Sequence, residues 1–264
     1  MQKELAGWDK SVEQESVWAR VDDEDAWVLA KVDEKFGGSI HLTRLHAPPG
    51  VSMTLLVPEK EFINLTPATC DLNTPVDDLV QLTDVNQGAL LHTLRQRYMR
   101  DDVYTAIGPI LMALNPFKKL QICSVEMIEH MAAEAAELDT LPPHIFRVVK
   151  AAYSGMVGAG RPQSILISGE SGAGKTETAK LCMSCLVEVS ESSGASTQAA
   201  LESALLLEGF GNARTVHNSN SSRFGRWCSV QFDSRKRISA CRIQVYLLER
   251  SRVVLRGAGE HSYH

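Results

Sequence analysis

The feature that most restricts the fold of this chain is a glycine-rich loop between an apolar run and a helical pattern. Residues 169–176 read Gly-Glu-Ser-Gly-Ala-Gly-Lys-Thr and fit the pattern G-x-x-x-x-G-K-[ST]. The apolar run Ser164–Ser168 predicts a short β-strand before the loop, and the pattern from Lys175 to Val189 predicts a helix after it. A strand, a glycine loop and a helix in this order indicate an α/β fold with a phosphate site.

Each residue type in this loop has a chemical reason. Glycines let backbone N–H groups turn toward phosphate oxygens, and the helix that follows adds its positive N-terminal end. Lys175 can neutralise the charge of β- and γ-phosphates, and the Thr176 hydroxyl can bind Mg²⁺. The pattern predicts a nucleoside triphosphate site but no particular class of protein. The candidate cofactor-binding residues of the loop are Gly169, Glu170, Ser171, Gly172, Ala173, Gly174, Lys175 and Thr176.

A second polar loop, Asn218–Gly225, is the next candidate. It reads Asn-Ser-Asn-Ser-Ser-Arg-Phe-Gly and is rich in small oxygen donors. Its two adjacent hydroxyls, on Ser221 and Ser222, can serve as a Mg²⁺ ligand and as a group that positions water or the γ-phosphate. Arg223 can either hold charge near the γ-phosphate or pair with a carboxylate that closes the site. A solvated polar loop is the alternative, which the phosphate loop elsewhere in the chain disfavours.

Composition excludes several other classes of protein. The chain has 264 residues, of which 44% are hydrophobic and 22% charged, as is ordinary for a globular protein. A net charge of −5 disfavours a globally basic nucleic-acid binder. No apolar run approaches the roughly 18–20 residues of a membrane span, and the first residues do not form a secretory signal. The six cysteines are therefore expected to be reduced, cytoplasmic thiols.

The composition of the chain changes near residue 70. Residues 16–70 hold four or five short runs rich in β-branched and aromatic residues, separated by turn signals, which predicts a small β-barrel. Residues 1–15 are expected to be an N-terminal extension, and residues 71–264 to form the domain with the phosphate loop. There, the patterns predict helices over 85–102, 125–138, 144–157 and 204–211, and strand–turn–strand segments over 103–117 and 227–249.

Two segments together resemble the myosin motor head. They are Ile165–Glu177, around the phosphate loop, and Leu206–Trp227, which includes the polar loop. Kinesins share the Asn-x-x-Ser-Ser-Arg core but continue with Ser-His, whereas Phe224-Gly225 is similar to the myosin pattern. Further segments that resemble the family are 103–120, 141–153 and 245–254. Residues 17–69 are similar to the SH3-like barrel at the front of many myosin heavy chains.

The resemblance implies a P-loop NTPase motor core, incomplete here, with a mixed central sheet and flanking helices, preceded by the SH3-like barrel. It implies ATP and Mg²⁺ as cofactors, with Thr176 and Ser222 as metal ligands. The residues that it places at the γ-phosphate and the attacking water are Ser171, Lys175, Ser221 and Arg223. The other nucleotide contacts that it implies are Asn115, Pro116 and Lys119 on the adenine side and Asn218, Ser221 and Ser222 on the phosphate side.

The implied function is that of the ATP-binding part of an actin-based cytoskeletal motor. Actin filaments would be bound through regions that are mostly absent from this chain, and light chains or calmodulin only by a full-length protein. The implied location is the cytoplasm and the cytoskeleton. No nucleic acid or membrane span is expected.

The chain also departs from the family pattern. Cys123 stands where a tyrosine is frequent, His217 where an arginine or another polar residue is common, and Trp227-Cys228 where an aromatic–aliphatic pair is more usual. No D-x-x-G-F-E segment follows the phosphate loop, and the nearest candidate, Asp233, is expected only to enter a hairpin turn. Arg223 is therefore expected to lack a carboxylate partner, and the chain to bind ATP weakly and hydrolyse it poorly.

Two alternative functions remain at this stage. One is a catalytically impaired, truncated nucleotide-binding fragment whose barrel acts as an interaction module. The other is an unrelated P-loop enzyme such as a small-molecule kinase, against which the Ser-Ser-Arg loop argues.

Overall fold

The computed structural model describes residues 16–21, 27–46, 50–58, 60–61, 65–68, 75–122, 124, 127, 141–192 and 206–263. The expected N-terminal extension, Cys123 and nearly all of the helix expected over 125–138 lie outside these residues. The described residues form two compact units. The first runs to Asp102 and includes Ala106–Gly108, and the second contains Val103–Thr105 and the residues from Pro109 onward.

The first unit is built on a five-stranded antiparallel sheet. Its strands are β1 (Ser16–Arg20), β2 (Trp27–Phe36), β3 (Ser39–Arg44), β4 (Thr54–Pro58) and β5 (Leu65–Pro67). They pair in the order β4-β3-β2-β1-β5. The turn between β2 and β3 is Gly37-Gly38, in which both residues have positive φ, as tight hairpins require. The predicted set of short strands is confirmed, while closure into a barrel stays a prediction.

The sheet buries side chains on both of its faces because the residues of a strand alternate in direction. One face forms an aliphatic core that includes Val17, Ala19 and Leu42. On the other face Trp18, only 1% exposed, lies under helix α1 (Gln87–Met99). A Cβ at Gly88 of that helix would come within 2.4 Å of the Trp18 ring, so only glycine allows this approach.

A hairpin and two packed helices follow. Strands β6 (Tyr104–Ile107) and β7 (Ile110–Ala113) form a two-stranded sheet, as the sequence predicts. Helix α2 (Ile145–Ala159) begins after His144, whose Nδ1 accepts a hydrogen bond from the backbone N–H of Phe146. Pro142 and Pro143 precede this cap and lie outside the helix. Helix α3 (Lys175–Val189) has the predicted bounds and packs on α2 around Phe146 and Cys185, both fully buried.

The strand expected at Ser164–Ser168 is wrong. Residues 160–170 pair with no strand among the described residues, and the Leu166 side chain is 90% exposed. An apolar run becomes a strand only where a neighbour pairs with its backbone groups, because hydrogen bonds to that neighbour replace those to water. The segment is apolar, as the sequence shows, but no strand among the described residues pairs with its backbone.

The remaining strands are paired locally. Strands β8 (Asn212–Ala213) and β9 (Ser221–Ser222) are antiparallel, and residues 206–211 before them are helical. Strands β10 (Gly225–Phe232) and β11 (Ile238–Tyr246) form the predicted hairpin. At its turn, one oxygen of the Asp233 carboxylate accepts hydrogen bonds from the backbone N–H groups of Arg235 and Arg237. Asp233 is therefore a turn residue, as expected.

Candidate functional site

The glycine-rich loop leads directly into helix α3. Gly172 and Gly174 have φ values of 83° and 96°, a backbone conformation that residues other than glycine rarely adopt. Gly174 is the N-cap of α3 and supplies no side-chain cap, in contrast to the Asn86 cap of α1. The first N–H groups of an α-helix have no partner within the helix, so this end of α3 can bind an anion.

Lys175 is folded back over the loop. Its Nζ donates hydrogen bonds to the carbonyl oxygens of Gly169 and Glu170, both at 2.7 Å. An ammonium group has three N–H donors, so these two bonds hold the charge at the loop without using all of its donors. The positive charge and the N-terminal end of α3 therefore lie together.

Side-chain hydroxyls join the glycine loop to the polar loop. Ser171 Oγ lies 2.7 Å from Ser221 Oγ, and Thr176 Oγ1 lies 3.2 Å from Ser222 Oγ. These pairs connect residues that are 50 and 46 positions apart in the chain. The pairing of Ala213 with Ser221 and of Asn212 with Ser222 fixes the polar loop at this position.

Within the polar loop, Asn218 is fixed by its neighbours. Its backbone N–H donates to the Thr215 hydroxyl at 3.1 Å, and its side-chain oxygen accepts from the Asn220 N–H at 3.0 Å. Thr215 also contacts Ser171, with 3.3 Å between the two hydroxyl oxygens. The loop thus has a network of internal hydrogen bonds, while His217, Ser219 and Asn220 are exposed to solvent.

Arg223 has a carboxylate partner, contrary to expectation. Its Nε donates to Glu249 at 2.6 Å, and Arg252 Nε donates to the same carboxylate oxygen at 2.8 Å. Hydrogen bonds from Arg223, and then from Arg252, hold the pKa of Glu249 below its ordinary value. This carboxylate comes from 26 residues further along the chain, so no motif next to Arg223 reveals it. The hairpin β10–β11 lies between Arg223 and Glu249 in the chain. Because its two strands are antiparallel, they bring these two residues close together.

The two loops border a cavity of about 240 Å³. The expected site residues that line it are Asn115, Gly172, Gly174, Lys175, Thr176, Asn218, Ser221 and Ser222. The other lining residues, which were not expected as ligands, are Phe117, Glu177, Glu208, Asn212, His217 and Asn220. Asn115 also donates to the carbonyl oxygen of Gly172 at 2.7 Å, which fixes it beside the loop. The expected residues that do not line the cavity are Pro116, Lys119, Gly169, Glu170, Ser171, Ala173 and Arg223.

The charge of the two acidic residues of the cavity is partly compensated by a lysine. Lys180 Nζ lies 2.9 Å from a Glu177 oxygen and 3.1 Å from a Glu208 oxygen. The hydrogen bond to Glu177 is the main reason why the pKa of Lys180 is raised. Because the one positive charge of Lys180 offsets part of the two negative charges, Glu177 and Glu208 repel an anion in the cavity less than two isolated carboxylates would.

Thr215, Asn212 and Glu249 are the site residues that sequence reasoning missed. Asn212 is 2% exposed, and its Oδ1 has no hydrogen-bond partner among the described residues. A buried acceptor of this kind is costly without a partner, which points to a ligand or water in the cavity. All three residues lie in segments already marked by the family resemblance, but local spacing alone carries no signal for their contacts.

A comparison with protein-family models agrees with this arrangement. Residues 76–264 match the model described as myosin head (motor domain). That match covers both loops, helices α1 to α3 and the hairpin β10–β11. The chain belongs to the myosin head family.

Curated relatives point to the same family. Myosin-15 of Arabidopsis thaliana is 43% identical over 257 residues, which are 95% of this chain and 16% of the relative. Protein OPAQUE1 of Zea mays is 48% identical over 195 residues, which are 72% of this chain and 13% of the relative. The high molecular weight form of myosin-1 of Acanthamoeba castellanii is 36% identical over 232 residues, which are 88% of this chain and 14% of the relative. The chain thus spans only 13–16% of the length of these three relatives.

None of the described helices is both long enough and apolar enough to cross a membrane.

Proposed function

We propose that this chain binds MgATP in the cavity between the glycine loop and the polar loop, and that it is the ATP-binding part of an actin-based motor. The observation that carries the proposal is the pair of hydroxyl contacts, Ser171 with Ser221 and Thr176 with Ser222. They bring two loops, far apart in sequence and each suited to phosphate chemistry, to the same cavity.

The hydroxyl geometry fits a magnesium ion. Mg²⁺ binds oxygen ligands octahedrally at about 2.0–2.1 Å, so neighbouring ligand oxygens are about 2.9 Å apart. Thr176 Oγ1 and Ser222 Oγ, 3.2 Å apart, are close to that spacing. These two residues would hold the metal ion, which neutralises phosphate charge when it is bound. Phosphate oxygens and water would supply the other ligands, as is usual for Mg²⁺.

The phosphates would lie against the loop and the start of α3. Lys175 would exchange its carbonyl contacts for the β- and γ-phosphates, because a phosphate oxygen carries more negative charge than a carbonyl. Asn218 would contact the phosphates from the polar loop. The Ser171 and Ser221 hydroxyls, already in contact, would orient the γ-phosphate and a water molecule for in-line attack.

Arg223 would act through its pairing with Glu249. Arg223 is held by its Nε, and its two terminal nitrogens would be the groups that face γ-phosphate charge. This pairing would hold Arg223 at the end of the polar loop, beside the residues that line the cavity.

The adenine would lie on the side of Asn115, Pro116 and Lys119. Phe117, between them, has a positive φ of 51° and a side chain that is 83% exposed at the edge of the cavity. An exposed aromatic ring there offers a surface on which a base can stack.

The finer architecture belongs to the same proposal. Residues 71–264 would form the P-loop NTPase core, and residues 16–70 the SH3-like barrel, of which five strands are described. Actin binding and association with the cytoskeleton rest on family membership. A heavy chain that contains these residues is expected to pellet with actin filaments and to be released by MgATP.

ATP binding can be tested directly with a fluorescent ATP analogue. We expect the chain to bind it, and Lys175→Ala to weaken binding at least tenfold because the ammonium group is lost from the loop. Lys31→Ala is the matched control, since Lys31 is an exposed lysine of strand β2. Equal binding by both variants, or no binding by the parent chain, would contradict the proposed function.

A further inference from the structure

The hairpin β10–β11 carries two cysteines whose sulfur atoms are in contact. Cys228 Sγ lies 3.2 Å from Cys241 Sγ, and the two thiols are not joined by a disulfide. Cys228 pairs with Ile243, and Cys241 pairs with Val230, so the two cysteines are diagonal neighbours on one face of the hairpin. This face is separate from the residues that line the phosphate cavity.

The two thiols differ in their surroundings. Cys228 is exposed, whereas Cys241 is partly buried. Burial, and then the hydrogen bond with Cys228, raises the pKa of Cys241 to about 12. Cys241 is therefore a protonated thiol at neutral pH, and the exposed Cys228 is the thiol that a dissolved reagent reaches first. Arg226 lies two residues before Cys228 on the same strand face and adds positive charge there.

We propose that Cys228 and Cys241 form a redox-active dithiol that closes to an intramolecular disulfide by exchange with a small disulfide such as oxidised glutathione. The Cys228 thiolate attacks one glutathione sulfur, forms a mixed disulfide and releases one glutathione thiolate. Cys241 then loses its proton to the buffer and attacks Cys228 Sγ as a thiolate, the second glutathione leaves as a thiolate that takes up a proton, and the Cys228–Cys241 bond forms. The protein loses two electrons and two protons, and one oxidised glutathione becomes two reduced molecules.

The geometry favours closure over a lasting mixed disulfide. A disulfide bond is about 2.05 Å long, so the two sulfur atoms must approach by little more than 1 Å from their separation of 3.2 Å. Diagonal neighbours are about 7–8 Å apart, slightly more than the usual Cα separation across a disulfide, so closure also draws the two strands slightly together. Paired strands hold the cysteines at this position before the reagent arrives, so the second step has a high effective concentration.

The disulfide would link the two strands that lead to Arg223 and Glu249. Strand β10 begins two residues after Arg223, and β11 ends three residues before Glu249. Oxidation would therefore restrict the hairpin behind the polar loop. The chemistry itself needs no nucleotide, so it can fail or succeed independently of ATP binding.

The test is equilibration of the purified chain in glutathione buffers of different redox ratios, followed by thiol alkylation, digestion and mass spectrometry. We expect the Cys228–Cys241 disulfide to appear as the buffer becomes more oxidising and to disappear reversibly. In Cys241→Ser, a glutathione adduct should accumulate on Cys228 because no second thiol resolves it. In Cys228→Ser, Cys241 should remain largely unmodified.

Cys182 and Cys185 of α3 serve as an internal control, because Cys185 is fully buried in the helix packing. Their peptides should keep both thiols under conditions that oxidise the hairpin. The proposal is overturned if the parent chain keeps Cys228 and Cys241 reduced at every ratio, or if Cys228 retains glutathione while Cys241 is still present. The parent measurement needs no variant, so a folding defect in a variant leaves it decisive.

Discussion

The Glu249 carboxylate balances two guanidinium groups at the end of the hairpin β10–β11. Arg223 comes from the polar loop and Arg252 from the turn that follows Glu249. Arg252 is 4% exposed and also lies 3.4 Å from Glu260, so its charge is compensated twice. Glu249 therefore determines the position of Arg223. The carboxylate partner, which was not expected from the sequence, lies 26 residues further along the chain.

This arrangement predicts a pH dependence of stability. Since the folded pKa of Glu249 is lowered, its stabilising effect is full above the ordinary glutamate pKa of about 4.5 and is lost as the pH falls through the folded pKa. We expect Glu249→Gln to lower the free energy of unfolding by about 1–2 kcal/mol at pH 7. That difference should shrink in acid, as measured by urea unfolding at a series of pH values.

The control for this prediction is Glu188→Gln, which changes an exposed carboxylate on α3. It should leave the free energy of unfolding nearly unchanged at pH 7. An equal effect of the two substitutions, or a Glu249→Gln effect that grows in acid, would show that the ion pairs do not stabilise the fold.

At the scale of elements, the packing of α1 on the sheet depends on one glycine. Gly88→Ala places a methyl group within 2.4 Å of the buried Trp18 ring. The ring is only 1% exposed and has little room to move, so we expect a loss of about 1–3 kcal/mol in the free energy of unfolding. This loss is measured by denaturant unfolding, with tryptophan fluorescence as the signal.

Gly158→Ala in α2 is the matched substitution. Among the residues that the structure describes, nothing lies within 4 Å of a Cβ at Gly158, so the higher helix propensity of alanine should leave stability unchanged or raise it by up to about 1 kcal/mol. If Gly88→Ala is as harmless as Gly158→Ala, the close approach of α1 to Trp18 is not present in solution.

Elements were predictable from sequence where their determinants are local. Helix α3 and the hairpin β10–β11 were predictable because periodicity and turn residues lie within each element. The strand at Ser164–Ser168 failed because a strand needs a partner, which no local pattern supplies. The glycine-rich loop and the polar loop, like α3 and the hairpin, were recognisable because their residue types are local signals. The contacts of Thr215 and Glu249 depend on the tertiary fold and could not be read from spacing.

At the scale of the whole molecule, nearly all of the proposed function is located in the second unit. The cavity, both loops and the Glu249 ion pairs belong to residues beyond Pro109. The five-stranded sheet has its own aliphatic core in the first unit. The family match, which begins at residue 76, likewise leaves that sheet outside.

The central claim is that Thr176 and Ser222 hold one metal ion together with ATP, and a double-mutant cycle tests it most directly. ATP affinity is measured by calorimetry, with Mg²⁺ and with a chelator, for the parent chain, Thr176→Ala, Ser222→Ala and the double variant. Ser184→Ala, on an exposed position of α3, is the control. We predict that each single variant loses most of the Mg²⁺-dependent gain in affinity and that the double variant loses little more. Fully additive losses, or ATP binding that is indifferent to Mg²⁺ in the parent chain, would contradict the account.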